Sequence, residues 1–353
     1  MGLRRWVSSW PVYRQLTGPD KLGRGPIAAL GVARAPASPC WAAAPCSASG
    51  CSKPGPPPPE TRSTWWSRSA SAPARNNPAA RPIALGMTVQ DLDTTAYTGD
   101  WRAWHRAHEA RRAAPHGFLA ITGRHWLSPE PQRFDDAPGA WRSEDGRVTV
   151  VLDQDEELSV DGVPVRGEHT FDPIPERGNV DVTSGDAVIE VARRGGYDIV
   201  RPRHPGHPLR TGYTGTPAYD PDPRWVLTGR FQPFAEPRQV TVGAVVEGLQ
   251  HVYESPGQVE FEVDGQRLHL TAFNGQTPGR LSILFTDTTS GVTTYAANRS
   301  LAVGAPAADG TVTLDFNHAV NLPCAYTEFA TCPLPPAGNR LPVAVEAGEK
   351  KPA

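Results

Sequence analysis

The chain has 353 residues, 39% of them hydrophobic, with 35 Lys and Arg against 37 Asp and Glu. That length admits two domains, and no apolar run is long enough to cross a bilayer as a helix, which sets aside a helical membrane protein. Residues 1–86 carry 11 basic and 2 acidic residues, whereas 87–353 carry 24 basic and 35 acidic, and an acidic body argues against a nucleic-acid surface, which needs clustered Lys and Arg.

Residues 1–86 read as a leader. They hold runs such as PGPPPPE and STWWSRS, and the next methionine after Met1 is Met87. Lysine is rare, 4 against 31 Arg, a bias expected of a GC-rich genome. Translated upstream DNA has this look, so the expectation is a native start at Met87; the alternative is a disordered basic arm. The apolar piece Ile27 to Ala33 is short, and Pro39 and Pro45 precede Cys40 and Cys46. No export signal is read there, and the expected location is cytoplasmic.

From Met87 the first element is a helix. Thr98-Gly99-Asp100 reads as its N-cap; Trp101, Trp104 and His108 make a packed face, and Arg106, Glu109 and Arg112 a wet one. After Pro115 the period changes to two. Phe118 to Leu127 reads as extended, and Asp161-Gly162 marks a two-residue hairpin turn. Asp186–Glu190 and Tyr197–Arg201 form a second hairpin across Arg194-Gly195-Gly196. A Pro/Gly-rich connector follows, and a module boundary is placed at about 222.

The second module, 223–353, is also β. Val259, Phe261 and Val263 share one face, Asp264-Gly265 turns, and Leu268 and Leu270 return on the same side. The stretches around Leu281–Phe285, Val292–Leu301 and Thr311–Asp315 continue the meander. The expected fold class is mostly β: antiparallel sandwich or barrel modules with one N-terminal helix.

Chemistry-bearing residues gather in the second module. Tyr295 and Arg299 would share a strand face, and Asp315 and Asn317 would sit on the next strand. The irregular tail adds Asn321, Cys324, Tyr326, Cys332, Asn339 and Arg340. Such a surface suits a small anionic molecule. The competing structural account is an Arg299–Asp315 ion pair, with the Asn side chains satisfying backbone groups of the tail. Cys324 and Cys332 lack CxxC spacing and read as buried free thiols. His204 and His207, with His125, make a weak metal set, and no metal is expected. No cofactor motif is present, so no cofactor is expected either. Glu346 and Glu349 read as solvated.

The tail carries a resemblance. Asp315-Phe316-Asn317, Asn321-Leu322-Pro323-Cys324-Ala325-Tyr326, Ala330-Thr331-Cys332-Pro333-Leu334-Pro335-Pro336, Asn339-Arg340-Leu341-Pro342-Val343-Ala344 and Glu346-Ala347-Gly348-Glu349-Lys350 resemble the signature of an uncharacterised prokaryotic family, the domain of unknown function 1684. Thr289-Ser290-Gly291 through Tyr295, and the segment GFLAITGRHWL, are similar to it too, so the likeness runs from about Trp101 to Lys350. Ala297 stands where the family usually has glycine. The resemblance implies no activity. It does imply a first module, 87–222, shaped like a worn forkhead-associated sandwich, since ELSVDGVPV resembles that fold's V-N-G hairpin. The phosphothreonine-binding elements of that fold are missing, so phosphopeptide recognition is not implied.

The leading expectation is a cytoplasmic protein binding a small anionic molecule in the second module, with neither nucleic acid nor a membrane as partner. An enzyme, a hydrolase or transferase using Cys324 or Asp315, is one alternative. A protein-interaction scaffold is the other.

Overall fold

The computed structural model describes residues 93–352. The leader 1–86 and the expected start at Met87 lie outside the described residues.

Helix α1 spans Thr94–Arg112. It begins earlier than the sequence suggested. Asp93 is the cap, and its carboxylate accepts from the backbone N–H of Thr95 at 2.9 Å and of Ala96 at 3.2 Å. An aspartate that fills two orphan amides outcompetes the Thr98–Asp100 alternative, which lies inside the helix. No helix among the described residues is long and apolar enough to cross a membrane.

Phe118 to Leu127 is only partly extended. Phe118–Ala120 makes one 3-10 turn, and β1 is the short His125–Trp126. Nine strands follow: β2 Gln132–Phe134, β3 Ala137–Glu144, β4 Arg147–Val151, β5 Leu158–Val160, β6 Val163–Val165, β7 Glu168–Thr170, β8 Asn179–Ser184, β9 Ala187–Arg194 and β10 Tyr197–Arg203. They form a six-stranded sheet, β1-β10-β9-β8-β5-β6, and a four-stranded sheet, β2-β3-β4-β7. Side chains of both sheets meet in one core: Trp141, Val148 and Val150 from one, Leu158, Val182, Ile189 and Val191 from the other. That makes a sandwich.

Several of its hairpins turn on two residues of positive φ. Asp161-Gly162 has φ of 51° and 79°, and Gly195-Gly196 has 59° and 86°. This is the type I′ pattern, whose twist matches that of the flanking strands. Asp145-Gly146 makes the same turn, at 51° and 72°.

A short helix, α2 Pro208–Thr211, interrupts the connector. Seven strands come next: β11 Val226–Gly243, β12 Gln250–Val263, β13 Gln266–Asn274, β14 Leu281–Phe285, β15 Arg299–Val303, β16 Thr311–Asp315 and β17 Val320–Asn321. Their order is β16-β11-β12-β13-β14-β15-β17, all antiparallel. The sheet stays open, so this half is sandwich-like and not a closed barrel. Val259 and Phe261 of β12, Leu270 of β13, Ile283 of β14, Leu301 of β15 and Leu314 of β16 share its core. Phe316 packs edge-on to Phe285 at 5.3 Å and lies 5.8 Å from Phe261. Each such ring contributes roughly 1.5–3 kcal/mol by burial.

Two local expectations fail here. Residues 292–298 are turn and irregular backbone with one isolated bridge at Thr294, not a strand, so Tyr295 and Arg299 do not share a strand face. Moreover, β15 and β16 are not hydrogen-bonded neighbours, because β16 crosses back to β11. The fold is mostly β with one long N-terminal helix.

Candidate functional site

The tail signature first acts on its own backbone. Arg299 is 1% exposed. Its guanidinium donates to the carbonyl oxygens of Ala347 and of Val345 (3.0 Å for the latter), and it lies 3.4 Å from Asp287. The expected Arg299–Asp315 pair is therefore not formed. Asp287 is the partner, and its Oδ2 also accepts from the Val345 N–H at 2.7 Å. Burial lowers the pKa of Arg299, and Asp287 opposes the shift. An anion reaching Arg299 would have to displace these bonds.

The asparagines behave as inserted backbone. Asn317 accepts from the Asp222 N–H and donates to the Asp222 carbonyl, both at 2.9 Å. Asn339 does the same to Thr271, at 2.8 and 2.9 Å, and also donates to the Leu284 carbonyl. Asn321 donates to the Lys350 carbonyl at 2.7 Å. A side-chain amide has one donor face and one acceptor face, so it can pair like a strand where no strand continues. Asp315 accepts from Tyr97 OH at 2.9 Å, from Asn317, and pairs with His318 Nδ1 at 2.9 Å. Its oxygens are filled by these partners. Arg340 is exposed. Tyr295 OH donates to the Cys324 carbonyl at 2.7 Å.

A second cluster joins α1, the connector and the tail. Arg112, 4% exposed, donates from Nη2 to Glu349 Oε1 and from Nη1 to Glu109 Oε1, both at 2.6 Å. It also donates to Thr216 and to Tyr213 OH, and it stacks over the Tyr326 ring at 4.8 Å. Glu349, 1% exposed, accepts at Oε2 from the Asn321 N–H at 2.7 Å. Glu109 Oε2 accepts from Tyr213 OH and from the Thr216 N–H. Tyr326 OH shares a hydrogen bond with Thr216 at 2.7 Å. Arg112 and Glu349, expected to be wet, are thus buried. Among the residues proposed from the sequence, Asn321 and Tyr326 belong to this cluster, while Tyr295, Cys324 and Cys332 gather elsewhere.

The sequence reasoning missed Arg112, Glu109, Glu349, His105 and Tyr213. His105, His108, Glu109 and Arg112 fall at i, i+3, i+4 and i+7, a helical face that could have drawn attention. Electrostatics differ sharply along it. Burial disfavours the Arg112 charge, but Glu349 more than offsets this and raises its pKa. Burial raises the carboxyl pKa of Glu349, with Arg112 opposing. Burial also lowers the pKa of His105. His108 is pushed down to about 3 by burial and then by Arg112, whose Nη2 donates to His108 Nε2 at 2.8 Å.

A neutral folded His108 makes stability pH-dependent. The unfolded ring binds a proton near pH 6.5, so stability held above that value is lost as the pH falls toward 3. This residue contributes a slope of up to about 1.4 kcal/mol per pH unit. Urea unfolding at pH 7 and pH 5 should show His108→Gln losing less stability between the two than the parent does. Equal losses would show that His108 carries none of the slope.

A cleft of about 660 Å³ opens onto this cluster, lined by His105, Arg106, Glu109, Tyr213, Thr214 and Thr216. His105 Nδ1 is buried and has no hydrogen-bond partner. His105, Glu109 and Glu349 present ligand atoms within 4.8 Å of one another, a spacing a metal ion could use. Arg112 stands between the two carboxylates at 2.6 Å from each and already supplies the positive charge. A divalent ion there would have to compete with that guanidinium. His204 and His207 bond to their own loop and to the Leu119 carbonyl, and His125 to Asp136 at 2.7 Å.

Residues 211–350 match a family model described as "Protein of unknown function (DUF1684)". The match begins at the connector, later than the likeness read from about Trp101. Among solved structures, the chain is similar to an uncharacterized protein from Haloarcula marismortui, determined by NMR in solution. The two are 30% identical over 40% of this chain and 79% of that one, with a TM-score of 0.35. None of the curated proteins matches.

Proposed function

Since the chain belongs to DUF1684, a family of proteins of unknown function whose membership brings no activity with it, we propose from the chemistry of the cleft itself that the protein binds a small anionic molecule beside α1. The observation behind this reading is an imbalance between occupied and open groups. Every oxygen of Glu109 and Glu349 is already hydrogen-bonded. Arg106, by contrast, lines the cleft, is exposed, and forms no ion pair among the described residues. His105 adds an uncharged ring with an unpartnered nitrogen. An incoming carboxylate or phosphate would accept from Arg106, with the His105 ring beside it. The acidic body disfavours nucleic acid as the partner. A cytoplasmic setting, which keeps thiols reduced, goes with the free Cys324 and Cys332.

The test is native mass spectrometry of the full chain, then thermal shift against a panel of carboxylates and phosphate esters. A ligand so identified should bind at least about tenfold more weakly to Arg106→Ala, the usual cost of one charge-assisted hydrogen bond. Arg106 is exposed, so this variant should fold as the parent does. Unchanged affinity in both Arg106→Ala and His105→Leu would move the ligand out of this cleft.

A further inference from the structure

We propose that Cys324 and Cys332 form a dithiol site that a hydroperoxide converts to a disulfide and an external dithiol restores. Both are free thiols, separated by seven residues, and each lies on a fixed piece of backbone. Cys324 sits in the 3-10 turn Pro323–Ala325, and its backbone N–H points at Cys332 Sγ, 3.4 Å away. That bond places the Cys332 sulfur against the Cys324 backbone. Cys332 is buried, whereas Cys324 is only half-buried and reachable by a small molecule. This division, one accessible sulfur and one buried sulfur beside it, is what an attacking and a resolving cysteine require.

The surroundings differentiate the pair further. The neighbouring Cys332 thiol favours the Cys324 thiolate and lowers its pKa against the effect of burial, while the Tyr295 hydroxyl donates to the Cys324 carbonyl. The Cys332 thiol is pushed the other way, by its bond to Cys324 and by burial. The Arg201 guanidinium acts on Cys332 in the opposite sense and helps its later deprotonation.

The chemistry balances in two steps. The Cys324 thiolate attacks the distal oxygen of ROOH, the O–O bond breaks, and the leaving alkoxide takes a proton to give ROH and Cys324–SOH. Cys332 then attacks that sulfur, the S–S bond forms, and hydroxide leaves with the Cys332 proton as water. Two electrons pass from the thiols to the peroxide. An added dithiol reduces the bond by exchange.

The segment that would be closed is a seam. Arg124 donates to the carbonyls of Glu328 and Ala330, His251 bonds to the Thr331 carbonyl, and Val245 N–H donates to the Cys332 carbonyl. Oxidation would therefore change a stretch that touches both β modules.

Full-chain protein is treated with equimolar hydrogen peroxide, digested with trypsin and weighed. Ser300 to Arg340 contains no other Lys or Arg, so both cysteines lie on one tryptic peptide, apart from Cys40, Cys46 and Cys51. That peptide should become lighter by two hydrogens, and dithiothreitol should restore them. In Cys332→Ser, dimedone should mark Cys324. In the parent chain iodoacetamide should label Cys324 about tenfold faster than Cys332 at neutral pH, a measurement that needs no variant. Two free thiols after peroxide, or equal alkylation rates, would overturn the proposal.

Discussion

Replacing Arg112 with methionine should lower the free energy of unfolding by about 3–5 kcal/mol, the cost of stranding buried charge after one partner of an ion pair is removed. Methionine keeps most of the volume, so the loss reports charge and hydrogen bonds more than packing. Two carboxylates would be left facing each other, one of them nearly inaccessible to water. The effect should depend on pH in a defined direction. Burial already raises the Glu349 pKa while Arg112 opposes it, so without Arg112 the carboxyl is driven higher still. A raised folded-state pKa gives stability that is present below the unfolded value and lost as the pH climbs through the folded one. The deficit of the variant should therefore shrink as the pH is lowered from 7 toward 4.5. Urea unfolding at the two pH values checks this, with the exposed Arg111→Met as a control expected within about 0.5 kcal/mol of the parent. A loss under about 1 kcal/mol for Arg112→Met, or one that grows on acidification, would show that the cluster is not coupled in this way.

Arg299→Met is the second large effect, again about 3–5 kcal/mol, but with a different signature. Arg299 holds residues 345 and 347 by their carbonyls, while Asp287 holds the Val345 amide. Removing the guanidinium leaves Asp287 buried without its cation and the tail without its clamp. Limited proteolysis should then cut between 340 and 350 in the variant under conditions that leave the parent intact. Arg299→Lys should recover part of the stability but not the protection, because one ammonium cannot match a planar fork aimed at two carbonyls. A tail that stays resistant in Arg299→Met would mean that the bonds of Asn339 and Asn321 suffice to hold it. Glu349 pairs with Arg112, which also bonds the cleft residues Glu109, Tyr213 and Thr216, so a released tail should also weaken any ligand bound beside α1.

Much of the architecture is legible in the residues. The alternation of Val259, Phe261 and Val263 with charged neighbours gives a half-buried strand, and Asp264-Gly265 supplies the positive φ values, 49° and 74°, that its hairpin needs. The alternative account of the tail asparagines, as partners for irregular backbone, is what Asn317 and Asn339 do. Other features resist local reading. The pairing of β16 with β11 joins strands some eighty residues apart, and nothing in either segment encodes a partner that distant. Arg112 is the plainer case. Arginine at i+3 from a glutamate looks like a surface pair, and only the arrival of Glu349 and Thr216 from elsewhere makes the position interior. The cluster around Arg112 escaped the sequence for the same reason. Its residues come from α1, the connector and the tail, three segments with no shared sequence pattern.

The partnership of Arg112 with Glu349 has a consequence for biosynthesis. The two residues are 237 positions apart. At ribosomal speeds, α1 waits on the order of tens of seconds for the carboxylate it is built around. Throughout that interval its guanidinium must remain in water, and Tyr97 and Trp101 lack Asp315 and the Asn317 carbonyl to dock on. The nascent helix thus carries two aromatic rings with no surface to cover until residues 315–317 are made.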